Sequence, residues 1–116
     1  MSAVPINIVI EPGEDWSASF NLRDDYGQYI NLTSFAVAGK MARNYRKTAT
    51  KINLNAVITT PAEGEITLAL NYTQTSALKF GRYVYDVVVT APLNQGGKKT
   101  RVVEGIITIQ EAVTIV

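Results

Sequence analysis

The run Gly81–Thr90 (GRYVYDVVVT), followed by Lys98–Ile109 (KKTRVVEGIITI), decides the fold. In the first run Tyr83, Tyr85, Val87 and Val89 fall on one face, and Val84, Asp86 and Val88 on the other. β-Branched and aromatic side chains at a period of two favour extended backbone, where they pack on a pleated surface. The Pro/Asn/Gly-rich break Ala91–Gly97 joins the two runs into a predicted antiparallel hairpin.

The same alternation recurs along the chain. Ile6, Ile8 and Ile10 share a face of Ile6–Ile10, before a Pro12-Gly13 break. Trp16, Ala18, Phe20 and Leu22 alternate with Ser17, Ser19 and Asn21, which predicts a strand with one wet face. Asp24–Gly27 reads as a turn, since Asp accepts from nearby backbone N–H groups and Gly supplies positive φ. Phe35, Val37, Gly39 and Met41 share a face of the next strand, with Gly39 marking a bulge or a close approach. Arg43–Thr50 reads as an exposed loop, Lys51–Thr59 as one strand, Thr60–Gly64 as a turn and Glu65–Leu70 as a strand. Asn71–Leu78 breaks the alternation, and Asn71 or Thr73 is placed to cap one helical turn. About seven antiparallel strands with regular turn signals predict a single all-β domain over residues 1–116, an immunoglobulin-like β-sandwich, with 111–116 as a short tail. A small β-barrel is the alternative.

Composition removes whole classes of chemistry. The 116 residues include no Cys and no His, which excludes disulfides, thiolate and imidazole metal sites, and Ser-His-Asp or Cys-His triads. A net charge of +1 gives no electrostatic case for nucleic acid or an anionic membrane. The N-terminus shows no basic segment before an apolar one, which predicts no signal peptide and synthesis in the cytoplasm.

The remaining polar groups each have two readings. Asp24-Asp25 begins a calcium loop or a plain turn, and too few oxygens stand nearby for calcium. Glu63 and Glu65 resemble a glycosidase pair but flank Gly64 at a convex turn, which has no pocket to raise one pKa. Asp86 and Glu104, with Arg82 and Arg101, form a cross-strand charge set or a contact surface for a neighbouring protein. Arg43, Tyr45, Arg46, Lys47 and Lys51 form a basic cluster that reads as a solvated loop and a candidate partner site. Tyr26, Tyr29 and Tyr45 are candidate glycan platforms in turns and loops. Ile6–Ile10 and Gly105–Ile109 lack polar gatekeepers, so each is either an edge open to another chain or a buried strand.

Several phrases together resemble a module of tailed-phage virions: Glu14-Asp15-Trp16 with Phe20, Asp24–Gly27, Asn31-Leu32-Thr33, Gly64–Leu68, Gln74–Leu78, Gly81–Asp86, Arg101–Gly105 and Val113-Thr114. The ordered pair GRYVYD and RVVEG is the most specific part. The arrangement is similar to the immunoglobulin-like domain at the N-terminus of baseplate upper proteins, which also occurs as stand-alone copies in tailed phages, including cyanophages. The resemblance implies a non-enzymatic virion component without cofactor that docks onto other virion proteins in many symmetric copies, a homo-oligomer among the options. It implies no nucleic-acid or membrane partner. The sequence carries one domain and no coiled coil, which favours an adaptor, neck, baseplate or head-decoration role over receptor binding. The docking candidates are Ile6, Ile8, Ile10, Arg43, Tyr45, Arg46, Arg82, Arg101 and Glu104. A carbohydrate-binding adhesion module on the virion surface is the alternative.

Overall fold

In the computed structural model, which describes residues 3–110, the alternating runs build a β-sandwich. The strands are β1 (Val4–Pro5), β2 (Ile8–Ile10), β3 (Trp16–Asn21), β4 (Ala36–Ala42), β5 (Ile52–Asn53), β6 (Val57–Thr60), β7 (Glu65–Leu70), β8 (Gly81–Thr90) and β9 (Lys99–Ile109). The larger sheet has the order β1-β9-β8-β4-β5, with β2 also on β9; the smaller has the order β3-β7-β6. This order is compatible with an immunoglobulin-like connectivity, in which B-E-D faces G-F-C.

The β8–β9 hairpin forms as its periodicity requires. Tyr83, Tyr85, Val87 and Val89 are all buried, while Val84, Asp86 and Val88 are half-buried on the outer face. They meet Leu22, Ile66, Leu68 and Leu70 in one core cluster. Each aliphatic side chain fully buried there contributes about 1.5–3 kcal/mol. Gly39 marks a close approach: its pairing with Val87 is unbroken, and a Cβ would stand 3.2 Å from Leu68 of the opposite sheet.

Two expectations are corrected. The strands are not all antiparallel, because β1 and β2 run parallel to β9. Ile8–Ile10 and Ile107–Ile109 thus pair within the molecule, with Ile10 opposite Ile109. Lys51–Thr59 is not one strand but two, β5 in the larger sheet and β6 in the smaller. Between them Leu54 donates its N–H to Gly39 and accepts at its carbonyl from Ala69, so its backbone bridges the sheets. Asn55 turns the chain there at φ 55°, with its N–H on the Asn53 side chain. The inward positions stay in phase through the crossing, which is why the sequence shows a single alternation.

The break at Asn71–Leu78 is helix α1 (Tyr72–Ser76), and Asn71 is its cap: the Asn71 side chain accepts from Gln74 N–H, and the Gln74 side chain accepts from Asn71 N–H. Thr75 of α1 is fully buried and accepts from Gly13 N–H at 3.0 Å. The tail at 111–116 lies outside the described residues.

Candidate functional site

One extra residue in β9 builds the charge cluster. Val87 pairs with Val103 and Val88 with Arg101, so Val102 is a bulge. Without it Arg101 and Glu104, three apart in a strand, would face opposite sides of the sheet. With it Val102 and Val103 both turn into the core, and Arg101 and Glu104 share the outer face. Glu104 stands directly across from Asp86, two like charges that would repel. The Arg101 guanidinium lies 3.2 Å from Asp86 and 3.4 Å from Glu104 and offsets that repulsion. Its partners are partly exposed, so each pair contributes only about 0.2–1 kcal/mol.

A second device ties the N-terminal segment to the hairpin. Tyr85 pairs with Gly105 and reaches across β9 at that glycine, donating its hydroxyl to the Ile6 carbonyl at 2.5 Å. A regular parallel ladder would give the Ile6 carbonyl to the Ile106 N–H. Here the Asn7 side chain accepts from Ile106 instead, at 3.2 Å, and the register is the same on both sides of the interruption. A Cβ on Gly105 would overlap the Ile6 carbonyl oxygen. Burial pushes the Tyr85 phenol up to about 12.

The predicted residues divide by location. Ile10 is fully buried, and Ile6 and Ile8 pack half-buried against the core, so the Ile6–Ile10 face is core. Arg43 is a clamp at the start of β8: it donates to the carbonyls of Phe80 and Arg82 and stacks over the Tyr83 ring at 4.3 Å. Tyr45 and Arg46 are exposed in the following loop. Arg82 is exposed opposite Thr108, so Glu104 finds Arg101 and not Arg82. Asp24 is a turn residue, its carboxylate accepting from the N–H groups of Tyr26 and Gln28. Glu65 accepts from Thr59 and Thr60, and Glu63 sits exposed in a single helical turn. Tyr26 is 90% exposed, whereas Tyr29 is partly covered by Arg23 at 4.2 Å. The roles of Asn7, Gly105 and Thr75 do not show in the sequence, since a lone Asn, Gly or Thr gives no local signal of a partner distant in sequence.

Among the surface depressions, two adjoin Arg101 of β9. A shallow one of about 390 Å³ lies on the outer face of the larger sheet, between Ala38, Val84, Val88 and Tyr45 with Asp86 and Arg101 at its side. A groove of about 580 Å³ lies at the Lys99 end of β9, lined by Ala3, Ile30, Leu32, Phe35, Lys98 and Lys99 among others. Among the described residues no three His, Cys, Asp or Glu side chains group to hold a metal ion, and no helix is long and apolar enough to cross a membrane.

No protein-family model and no curated protein matches this chain. Among solved structures, a family 123 glycoside hydrolase from Clostridium perfringens is similar over 94% of this chain and 23% of its own, at 14% identity and a TM-score of 0.40. A likeness that distant carries no argument about activity.

Proposed function

We propose that this domain is a non-enzymatic structural component of a tailed-phage virion, docking onto other virion proteins at the baseplate, tail, neck or head. One observation supports it above others. The two phrases that carry the resemblance, Gly81–Asp86 and Arg101–Gly105, form a single physical unit across β8 and β9, with Asp86 opposite Glu104 and Tyr85 opposite Gly105. Residues scattered in the sequence thus act together to fix the N-terminal strand and the outer charge cluster. Such a unit specifies a rigid sandwich with faces and edges for docking. Many symmetric copies then let modest contacts hold firmly. The proposal predicts that the protein co-purifies with phage particles through a density gradient at a fixed ratio to the major capsid protein. Complete loss of the protein from washed particles contradicts it.

The extreme exposure of Tyr26 favours a second reading, a carbohydrate-binding module on the virion surface. That reading predicts binding to host envelope polysaccharide that Tyr26→Ala abolishes, and wild-type protein that fails to bind removes it.

A further inference from the structure

The pairing on the two sides of β9 is unequal. Toward β8 the ladder runs from Lys99 to Ile109. On the other side the pairing begins only at Val103, opposite Val4. Residues 99–101 therefore have no partner strand on their outer side among the described residues, and Ala3, just before β1, lies at the Val102 end of this stretch. The hydrogen-bonding phase is fixed by the Ala91 N–H, which bonds the Lys98 carbonyl at 2.8 Å. Alternation along an antiparallel pair then turns the N–H and C=O groups of Lys99 and Arg101 away from β8, toward the side where no described strand pairs with them.

The groove of about 580 Å³ lies along this open stretch. Ile30 and Phe35 line it half-buried beside the buried Leu32, so apolar surface waits next to unpaired backbone. The charge is one-sided. Arg101 and Glu104 are satisfied together with Asp86, whereas Lys98 and Lys99 have no carboxylate within salt-bridge distance among the described residues. Both lysines are exposed at the groove, and Lys99 reaches only the Thr90 hydroxyl at 3.3 Å.

We infer that this edge accepts an extended segment of a partner protein as an added strand, with acidic side chains alternating with apolar ones. The main chain of the segment bonds Lys99 and Arg101. Its apolar side chains turn in over Ile30 and Phe35, and its carboxylates stand beside Lys98 and Lys99. Main-chain bonds supply affinity and the alternating side chains supply specificity. This inference deepens the docking reading by naming the surface and the chemistry of what binds there.

The test uses the full chain labelled with nitrogen-15 and three blocked synthetic peptides: alternating Glu and Val, alternating Lys and Val, and alternating Glu and Pro. The Glu-Val peptide is expected to shift the amides of residues 98–102 and 30–35 and to slow hydrogen exchange at Lys99 and Arg101. The Lys-Val peptide carries the opposite charge, and the Glu-Pro peptide lacks every second N–H and fits poorly as a paired strand, so both bind about tenfold more weakly or worse. The double variant Lys98→Glu/Lys99→Glu weakens the Glu-Val peptide by about tenfold at unchanged melting temperature. Lys99→Pro removes an outward N–H without touching the β8 ladder, and it too loses the peptide.

Equal binding of the Lys-Val peptide, or no shift at about 1 mM Glu-Val peptide, overturns the inference. So does slow exchange at Lys99 and Arg101 in the free protein, which would put a segment of the chain itself on the edge. Concentration-dependent shifts at the same amides without peptide would make the occupant a second copy, and also overturn it. These failures leave the protein on phage particles and the docking reading intact. A bound peptide with no protein on particles would remove the docking reading and keep the edge.

Discussion

The Tyr85 hydroxyl donates to the carbonyl of Ile6, 79 residues earlier in the chain. This bond joins the centre of the larger sheet to its N-terminal edge across Gly105. It substitutes for a ladder bond, and the Asn7 side chain satisfies the Ile106 N–H that the substitution frees. Tyr85→Phe keeps the ring and leaves the Ile6 carbonyl without its partner. The expected cost is about 1–3 kcal/mol in urea unfolding. Phe and Tyr at equal stability would show the bond to be idle.

Gly105→Ala is expected to cost about 1–3 kcal/mol and to free the N-terminal segment, since its Cβ overlaps the Ile6 carbonyl. Limited proteolysis reads this directly: cleavage before Ile10 appears in the variant and is absent in the wild type. A resistant variant contradicts the packing described here.

The same tyrosine sets an alkaline limit. Its phenol is raised from 10.0 to about 12 by burial, so the folded protein holds the proton where the unfolded chain releases it. The contribution is complete below pH 10 and drains as pH rises from 10 toward 12. A shift of that size corresponds to about 2–3 kcal/mol. Stability measured by denaturant titration at several alkaline pH values should fall in that window, and Tyr85→Phe should flatten the fall. An unchanged slope in the variant assigns the loss to other groups.

Arg101 separates two carboxylates that face each other across β8 and β9. Arg101→Ala is expected to cost about 1 kcal/mol, and Arg82→Ala, whose side chain makes no ion pair among the described residues, less than about 0.5 kcal/mol. Asp86→Asn in the Arg101→Ala background should recover part of the loss by removing one like charge. No recovery in that double variant contradicts the account of the cluster.

Thr75 holds the turn that leads into β3, accepting from Gly13 N–H and donating to the Glu14 carbonyl. Thr75→Val conserves shape and removes both bonds, at an expected cost of about 1–3 kcal/mol by thermal or urea unfolding. Thr73→Val, two residues earlier on the exposed side of α1, is the control and should stay within about 0.5 kcal/mol.

Much of this architecture is legible in the sequence because alternation and turn chemistry are local. Tyr83 to Val89, Trp16 to Leu22 and Ile66 to Leu70 announce their faces without help from the rest of the chain. Asp24 and Asn71 announce their turn and cap in the same way. The parallel pairing of β2 with β9 does not show, because a period of two says which face is buried and not which strand lies alongside. The sheet switch at Leu54 is hidden for the same reason, since its inward positions stay in phase. The bulge at Val102 is visible only as two adjacent valines, and its consequence, Arg101 and Glu104 on one face, needs the register with Val87 and Val88. The bonds from the Arg43 guanidinium to the Phe80 and Arg82 carbonyls do not show either, because a basic loop residue gives no hint of which backbone it meets.

The measurement that tests the central claim most directly is immunogold electron microscopy of purified phage particles with an antibody to this domain. The account predicts label at one discrete place on the particle, repeated from particle to particle. Unlabelled particles, with the protein expressed during infection and its epitopes shown to be accessible, would contradict it.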